Sequence, residues 1–137
     1  MGLIEILNTI LDNLEKYREL ENDFRIDDRL YSAGKKLIDG IKQNNKELIS
    51  EAYKLLNEFL QVWRKKKPKD KVRLYRCLLA LVLSFTSVVS KSKIRRMMMN
   101  GEIPSDDSRV PVFLDFLDKI EKYCSELYPD VRDVIYG

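Results

Sequence analysis

"CLLALVLSFTSVV", Cys77 to Val89, decides the fold: its 13 residues carry no charge. The run falls short of the roughly 18 to 20 apolar residues that cross a bilayer, so no membrane span is expected. It is too long for a typical strand, and a core helix fits it best. Extended to its flanks, this helix starts at Asp70 and ends near Ser90. It is apolar around most of its circumference, which places it at the centre of a bundle.

Downstream, "KSKIRRMMMN" reads as a short helix stopped by Gly101. Ile94, Met97 and Met98 have helical spacing and cap the core, which leaves Met99 as the odd one out. "GEIPSDDSRVP" is a loop, and "VFLDFLDKIEKYCSEL" a further helix with Phe113, Leu117, Ile120 and Cys124 facing inward. Pro129 opens a last turn, "DVRDVIYG".

Upstream, "RKKKPKDK" breaks the pattern, because Pro68 disfavours a helical Lys67 and has no N–H to donate. Before it, "NNKELISEAYKLLNEFLQVW" carries Leu48, Ala52, Leu55, Phe59 and Trp63 on one face, with Asn44 and Glu47 spaced as a capping box. "RIDDRLYSAGKKLIDG" gives another helix, capped by Asp27 or Asp28, lined by Leu30, Gly34, Leu37 and Ile41, with Gly40 near its end. Leu3, Leu7, Ile10, Leu14 and Tyr17 form the stripe of a first helix ending near Asp23. The stripe resembles a coiled-coil seam but covers barely two heptads, so packing within its own domain is the expectation. There is no internal repeat and no hairpin pattern. The fold class is therefore all-α: one compact domain over residues 1–137, a bundle of five to seven helices.

The composition agrees. Of 137 residues, 45% are hydrophobic and 34% charged, with only 5 Gly and 4 Pro, a balance that suits a globular helical protein. No export signal is expected at the N-terminus, since Glu5 and Asp12 interrupt its apolar repeat. Cys77 and Cys124 have no metal-ligand spacing, and the chain has no histidine, so neither a metal nor another cofactor is expected. Two free thiols suit a reducing cytoplasm. High Lys and Glu content points weakly to a heat-adapted source.

An enzyme is not expected. General acid–base work would fall to carboxylates, Lys, Tyr or Cys, and no convergent pair is legible. Asp27-Asp28 and Asp106-Asp107 read as cap and turn residues. Nucleotide-binding and calcium-binding loop patterns are absent.

Charge is the informative feature. Residues 64–96 hold 12 cations against the single Asp70, whereas residues 1–30 are net −4 and residues 97–137 net −5. A near-neutral total of +3 hides a strongly basic middle third, which suits a polyanionic partner. Lys69, Arg73, Arg76, Ala80, Ser84, Ser87 and Lys91 fall within an arc of roughly 80° on the central helix. From Arg73 to Lys91 this polar stripe would run about 27 Å at 1.5 Å per residue.

The predicted function is backbone contact with DNA or RNA, without sequence readout, by a nucleic-acid-binding protein or a small subunit of a nucleoprotein complex. The predicted contact residues are Arg64, Lys65, Lys66, Lys67, Lys69, Lys71, Arg73 and Arg76, with Lys91, Lys93, Arg95 and Arg96 at the far end. Serine hydroxyls along the stripe add hydrogen bonds, unless its small residues are buried against another helix. Trp63 and Tyr75 flank the basic run and offer stacking rings, unless they too are buried. The alternative is an adaptor whose basic middle meets an acidic protein partner, or Glu5, Asp12 and Glu19 of another copy in a homo-oligomer. An anionic membrane surface is a weaker third option, since the stripe lacks an exposed apolar face beside it.

Overall fold

Most of the apolar run, Cys77 to Thr86, lies within a helix that begins at the proline and stops short of the expected end near Ser90, leaving Val88 and Val89 in the connection that follows. In a computed structural model describing residues 2–136, this helix spans Pro68–Thr86 and is the fourth of six α-helices among the described residues. The others are α1 (Leu3–Glu19), α2 (Asp28–Gln43), α3 (Lys46–Arg64), α5 (Lys91–Met99) and α6 (Arg109–Tyr136). No residue among those described is in a strand. Pro68 takes the first helical position of α4 with Lys67 as its N-cap, two residues before the expected start. Proline is at home there because the first N–H groups of a helix have no partner inside it. The chain leaves α4 at Ser87, and Ser90 caps α5 through its hydroxyl, which accepts from the Lys93 N–H.

One cap is as expected and another shifts by a single position, with a physical reason. The Asp27 carboxylate accepts from the Arg29 and Leu30 N–H groups and starts α2. Asn45 rather than Asn44 caps α3, accepting from Glu47 and Leu48. Asn44 instead ends α2 in the left-handed conformation, at φ 52°, which asparagine tolerates. Gly40 lies in the last turn of α2, near its end as expected. A Cβ there would sit 2.8 Å from Ile49 Cγ1 of α3, so the missing side chain lets the two helices close on each other. α1 ends at Glu19, four residues early, and Leu56 rather than Leu55 is buried from α3.

α6 continues through Pro129 to Tyr136, where a separate last turn was expected. Pro129, Ser125 and Asp130 are exposed, so water can satisfy the carbonyl that the proline leaves free, while buried Val131 holds the next turn to the core.

α4 is central: it packs on α1, α2 and α6, while α2 also packs on α3. At the junction of α1, α2 and α4, Gly34 leaves space that Leu14 and Leu81 fill; an added Cβ would lie 3.0 and 3.2 Å from their methyl carbons. Phe85 of α4 stacks on Phe113 of α6 at 5.9 Å and meets Phe116 at 5.5 Å. The apolar stripe of α1 is buried in this same core rather than free for a coiled coil. The stretch Pro68–Met99 includes a window long and apolar enough to cross a membrane, of which 44% is buried here. A core helix has that same composition.

Candidate nucleic-acid interface

The bend between α3 and α4 gathers most of the predicted contact residues. Arg64 ends α3, Lys65 and Lys66 form the turn, and Lys67 precedes the Pro68 that starts α4; Lys69, Lys71 and Arg73 follow in its first turns. Arg64, Lys65, Lys66, Lys67, Lys69 and Arg73 are exposed, and none has a carboxylate within ion-pair distance among the described residues. Lys71 is half-buried, with its ammonium 5.6 Å from the centre of the Trp63 ring.

Buried rings underlie this elbow. Phe59, Trp63, Tyr75 and Tyr128 form a chain with successive ring centres 6.2, 6.5 and 6.0 Å apart. Trp63 is 2% exposed and its indole N–H donates to Asp130 of α6 at 3.2 Å. Tyr75 is 8% exposed and its hydroxyl donates to the Cys124 carbonyl at 3.1 Å. Both rings predicted as stacking candidates are therefore structural. The elbow is pinned from beneath by aromatic packing while its cations face water.

The continuous stripe along α4 is not a free track. Ala80 and Ser84 are buried, and the Ser84 hydroxyl donates to the Ala80 carbonyl at 2.7 Å within its own helix. Asn13 of α1 crosses above them, donating to the Ser84 carbonyl and the Ser87 hydroxyl, both at 3.2 Å. Small side chains let α1 approach, and that approach closes the middle of the stripe.

Two of its cations are also engaged. Arg76 pairs with Asp23 at 3.0 Å and lies over the Phe24 ring at 5.8 Å. Lys91 forms an ion pair with Asp118 and lies 3.9 Å from Glu121, both on α6. Beyond it, the Lys93 ammonium reaches the Val88 carbonyl at 3.5 Å, and Arg95 and Arg96 are exposed without an ion-pair partner among the described residues. The predicted residues thus form two separate patches, the elbow and the outer face of α5. Ile94 and Met97 are buried beneath the second, and Met99 is 85% exposed.

Sequence reasoning missed the groove beside the elbow. The α1–α2 connection contributes Glu21, Asp23 and Arg25, which with Asp27, Lys66, Asp70 and Arg73 border a cavity of about 580 Å³. Its carboxylates outnumber its cations, so a negative margin lies next to the positive elbow. No local signal marks it, because its two sides are about fifty residues apart in the chain.

Burial raises both thiols, that of Cys124 to about 11, and the Cys77 thiol donates to the Arg25 carbonyl at 3.3 Å. Asp27 is a helix cap, and Asp107 is held below the usual carboxylate range by the Arg109 guanidinium, whose Nη2 is 2.6 Å away. The chain matches no family model, no curated protein and no solved structure.

Proposed function

We propose that this chain is a non-enzymatic nucleic-acid-binding protein, or a small helical subunit of a nucleoprotein complex, that holds the phosphate backbone through the α3–α4 elbow. One observation carries the reading: six exposed cations within ten residues, Arg64 to Arg73, have no ionic partner in the described chain. Like charges held this close repel one another, and a polyanion removes that repulsion while releasing its own counterions.

The α5 patch, with Arg95 and Arg96, is a secondary contact at the other end of α4. Lys65→Ala, Lys66→Ala and Lys67→Ala combined should make the log–log salt dependence of binding shallower by about 2 to 3 units, near one per lost phosphate contact. A matched variant lacking Lys35, Lys36 and Lys42 removes the same charge from α2, where Lys36 is already paired with Glu51. Equal weakening by both variants would reduce the attraction to net charge and remove the elbow's special role.

The second reading is self-association, favoured by the exposed carboxylates Glu5, Asp12 and Glu19 on α1, none of them in an ion pair among the described residues. The elbow of one copy would meet this face of the next, head to tail. Light scattering across a salt series separates the two, because self-association without nucleic acid that dissolves in salt belongs only to the second.

A further inference from the structure

We propose that the elbow takes a single strand of nucleic acid, which stacks a base on Phe24 while its phosphates lie on the cations. This rests on the polyanion reading above and adds a stacking platform to it. Single-strand binders that ignore sequence combine a positive track with rings on which bases stack, because every base has a π-face. Both parts stand side by side near the start of α4.

Phe24 is 51% exposed, although an apolar ring gains by burial. Arg76 lies against it, with its guanidinium carbon 5.8 Å from the ring centre, and Arg76 is about one helical turn beyond the free Arg73. The ring therefore continues the elbow's row of cations. Its turn is held on both sides. The Asn22 side-chain carbonyl accepts from the Phe24 N–H at 2.9 Å, the Ile26 N–H donates to the Tyr17 carbonyl at 3.0 Å, and the Cys77 thiol donates to the Arg25 carbonyl. Ile26 is buried, which anchors the chain two positions beyond the ring. A ring fixed in this way loses little freedom when a base lands on it.

Charge around the ring sorts base from phosphate. Arg76 neutralises Asp23 at 3.0 Å, but Glu21, Asp27, Asp28 and Asp70 line the adjoining groove. Those carboxylates repel phosphate and can accept from the N–H groups of a base. A single strand can turn its phosphates to the cations and a base to the ring. A duplex keeps its bases paired inside and shows phosphate on both edges, so it gains nothing from the ring and feels the groove's repulsion more strongly.

The test titrates the full chain with a labelled single-stranded DNA of about 20 nucleotides and with the duplex of the same sequence, read by anisotropy between roughly 50 and 200 mM salt. The single strand should bind more tightly than the duplex. Phe24→Ala should weaken the single strand at least about fivefold, the low end of a lost base–aromatic stack, and change duplex binding by less than about twofold. Its log–log salt slope should stay that of the parent, since no phosphate contact is lost, whereas the combined Lys65→Ala, Lys66→Ala and Lys67→Ala variant makes the slope shallower. Phe24→Trp should restore the affinity, and the added indole should be quenched by the single strand and not by the duplex, over a constant background from buried Trp63. Tyr136→Ala, which removes the exposed ring beside Tyr128, should bind like the parent.

Equal weakening of both ligands by Phe24→Ala, no weakening at all, or an unquenched indole in Phe24→Trp overturns the platform while leaving the polyanion reading intact. Tighter binding of the duplex by the parent, or loss of single-strand affinity in Tyr136→Ala, overturns it likewise. Binding to neither ligand overturns this proposal and the polyanion reading together.

Discussion

At the N-terminal end of α4, six cations stand in water, none within ion-pair distance of a carboxylate among the described residues, over a floor of packed aromatic rings. Beyond its C-terminal end, Lys91 is drawn to Asp118 and Glu121 of α6. The residue types are the same, and the difference lies in what the neighbouring helix brings. α6 carries acids opposite α5, whereas under the elbow it offers Tyr128 and the Asp130 carboxylate already used by Trp63. A cation met by a fixed carboxylate holds the fold together, and one left in water is available to a partner.

Removing the floor of the elbow should have the largest effect. Trp63→Ala empties a fully packed site and should cost about 3 to 5 kcal/mol in denaturant unfolding, as large core truncations do. If the loss were below about 1 kcal/mol, the elbow would not be pinned by its aromatic floor and the contrast between the two ends would fail.

The seal between the ends comes next. Asn13→Ala should cost about 1 to 2 kcal/mol, because the partly buried Ser84 carbonyl loses a donor. It should not improve phosphate binding, since Ala80 and Ser84 stay covered by the packing of α1; tighter binding in this variant would revive the continuous track.

Alkaline pH probes the elbow end again. Burial raises the Cys124 thiol and the Tyr75 phenol above their ordinary values of 9.0 and 10.0. Both groups are neutral when protonated, and the folded state holds those protons more tightly than the unfolded chain. Their stabilisation is therefore complete below about pH 9 and is lost as pH rises, for Cys124 between its unfolded value of 9.0 and its folded value of about 11. Cys124→Ala should make the fall in stability across that window shallower. An unchanged slope would show that the thiol is not held protonated by the fold.

The C-terminal end should respond least. Lys91→Ala should cost less than about 1 kcal/mol and lose even that effect in high salt, because all three partners are partly solvated. Arg95→Ala with Arg96→Ala should leave stability within about 0.5 kcal/mol of the parent, since neither side chain has an ion-pair partner among the described residues. A larger loss would mean that these arginines hold the fold, and the comparison would have to be redrawn.

Local chemistry was readable without coordinates wherever a residue acts on its own helix. The uncharged run from Cys77 to Val89, the inward spacing of Leu30, Gly34, Leu37 and Ile41, and the cap at Asp27 all belong to this class. Neighbours on the same helix are fixed by a rise of about 1.5 Å and a rotation of about 100° per residue, so their relation follows from the order of residues. The helical bundle and its central apolar helix follow from that, as does the concentration of positive charge in residues 64–96. Small errors occurred where two residues competed for one cap, as Asn44 and Asn45 do, and where solvent exposure let α6 run on through Pro129.

Which cations remain free was decided only by tertiary packing. Asp23 lies 53 positions from Arg76, Asn13 lies 71 from Ser84, and Asp130 lies 67 from Trp63. No periodicity links such pairs, because each depends on how whole helices are placed against one another, and that placement is fixed by the fit of core side chains such as Leu14, Gly34 and Leu81. The order of residues determined that this chain is helical and basic at its middle; the packing of α1 and α6 around α4 decided that the stripe is closed, Lys91 is paired and the elbow stays open.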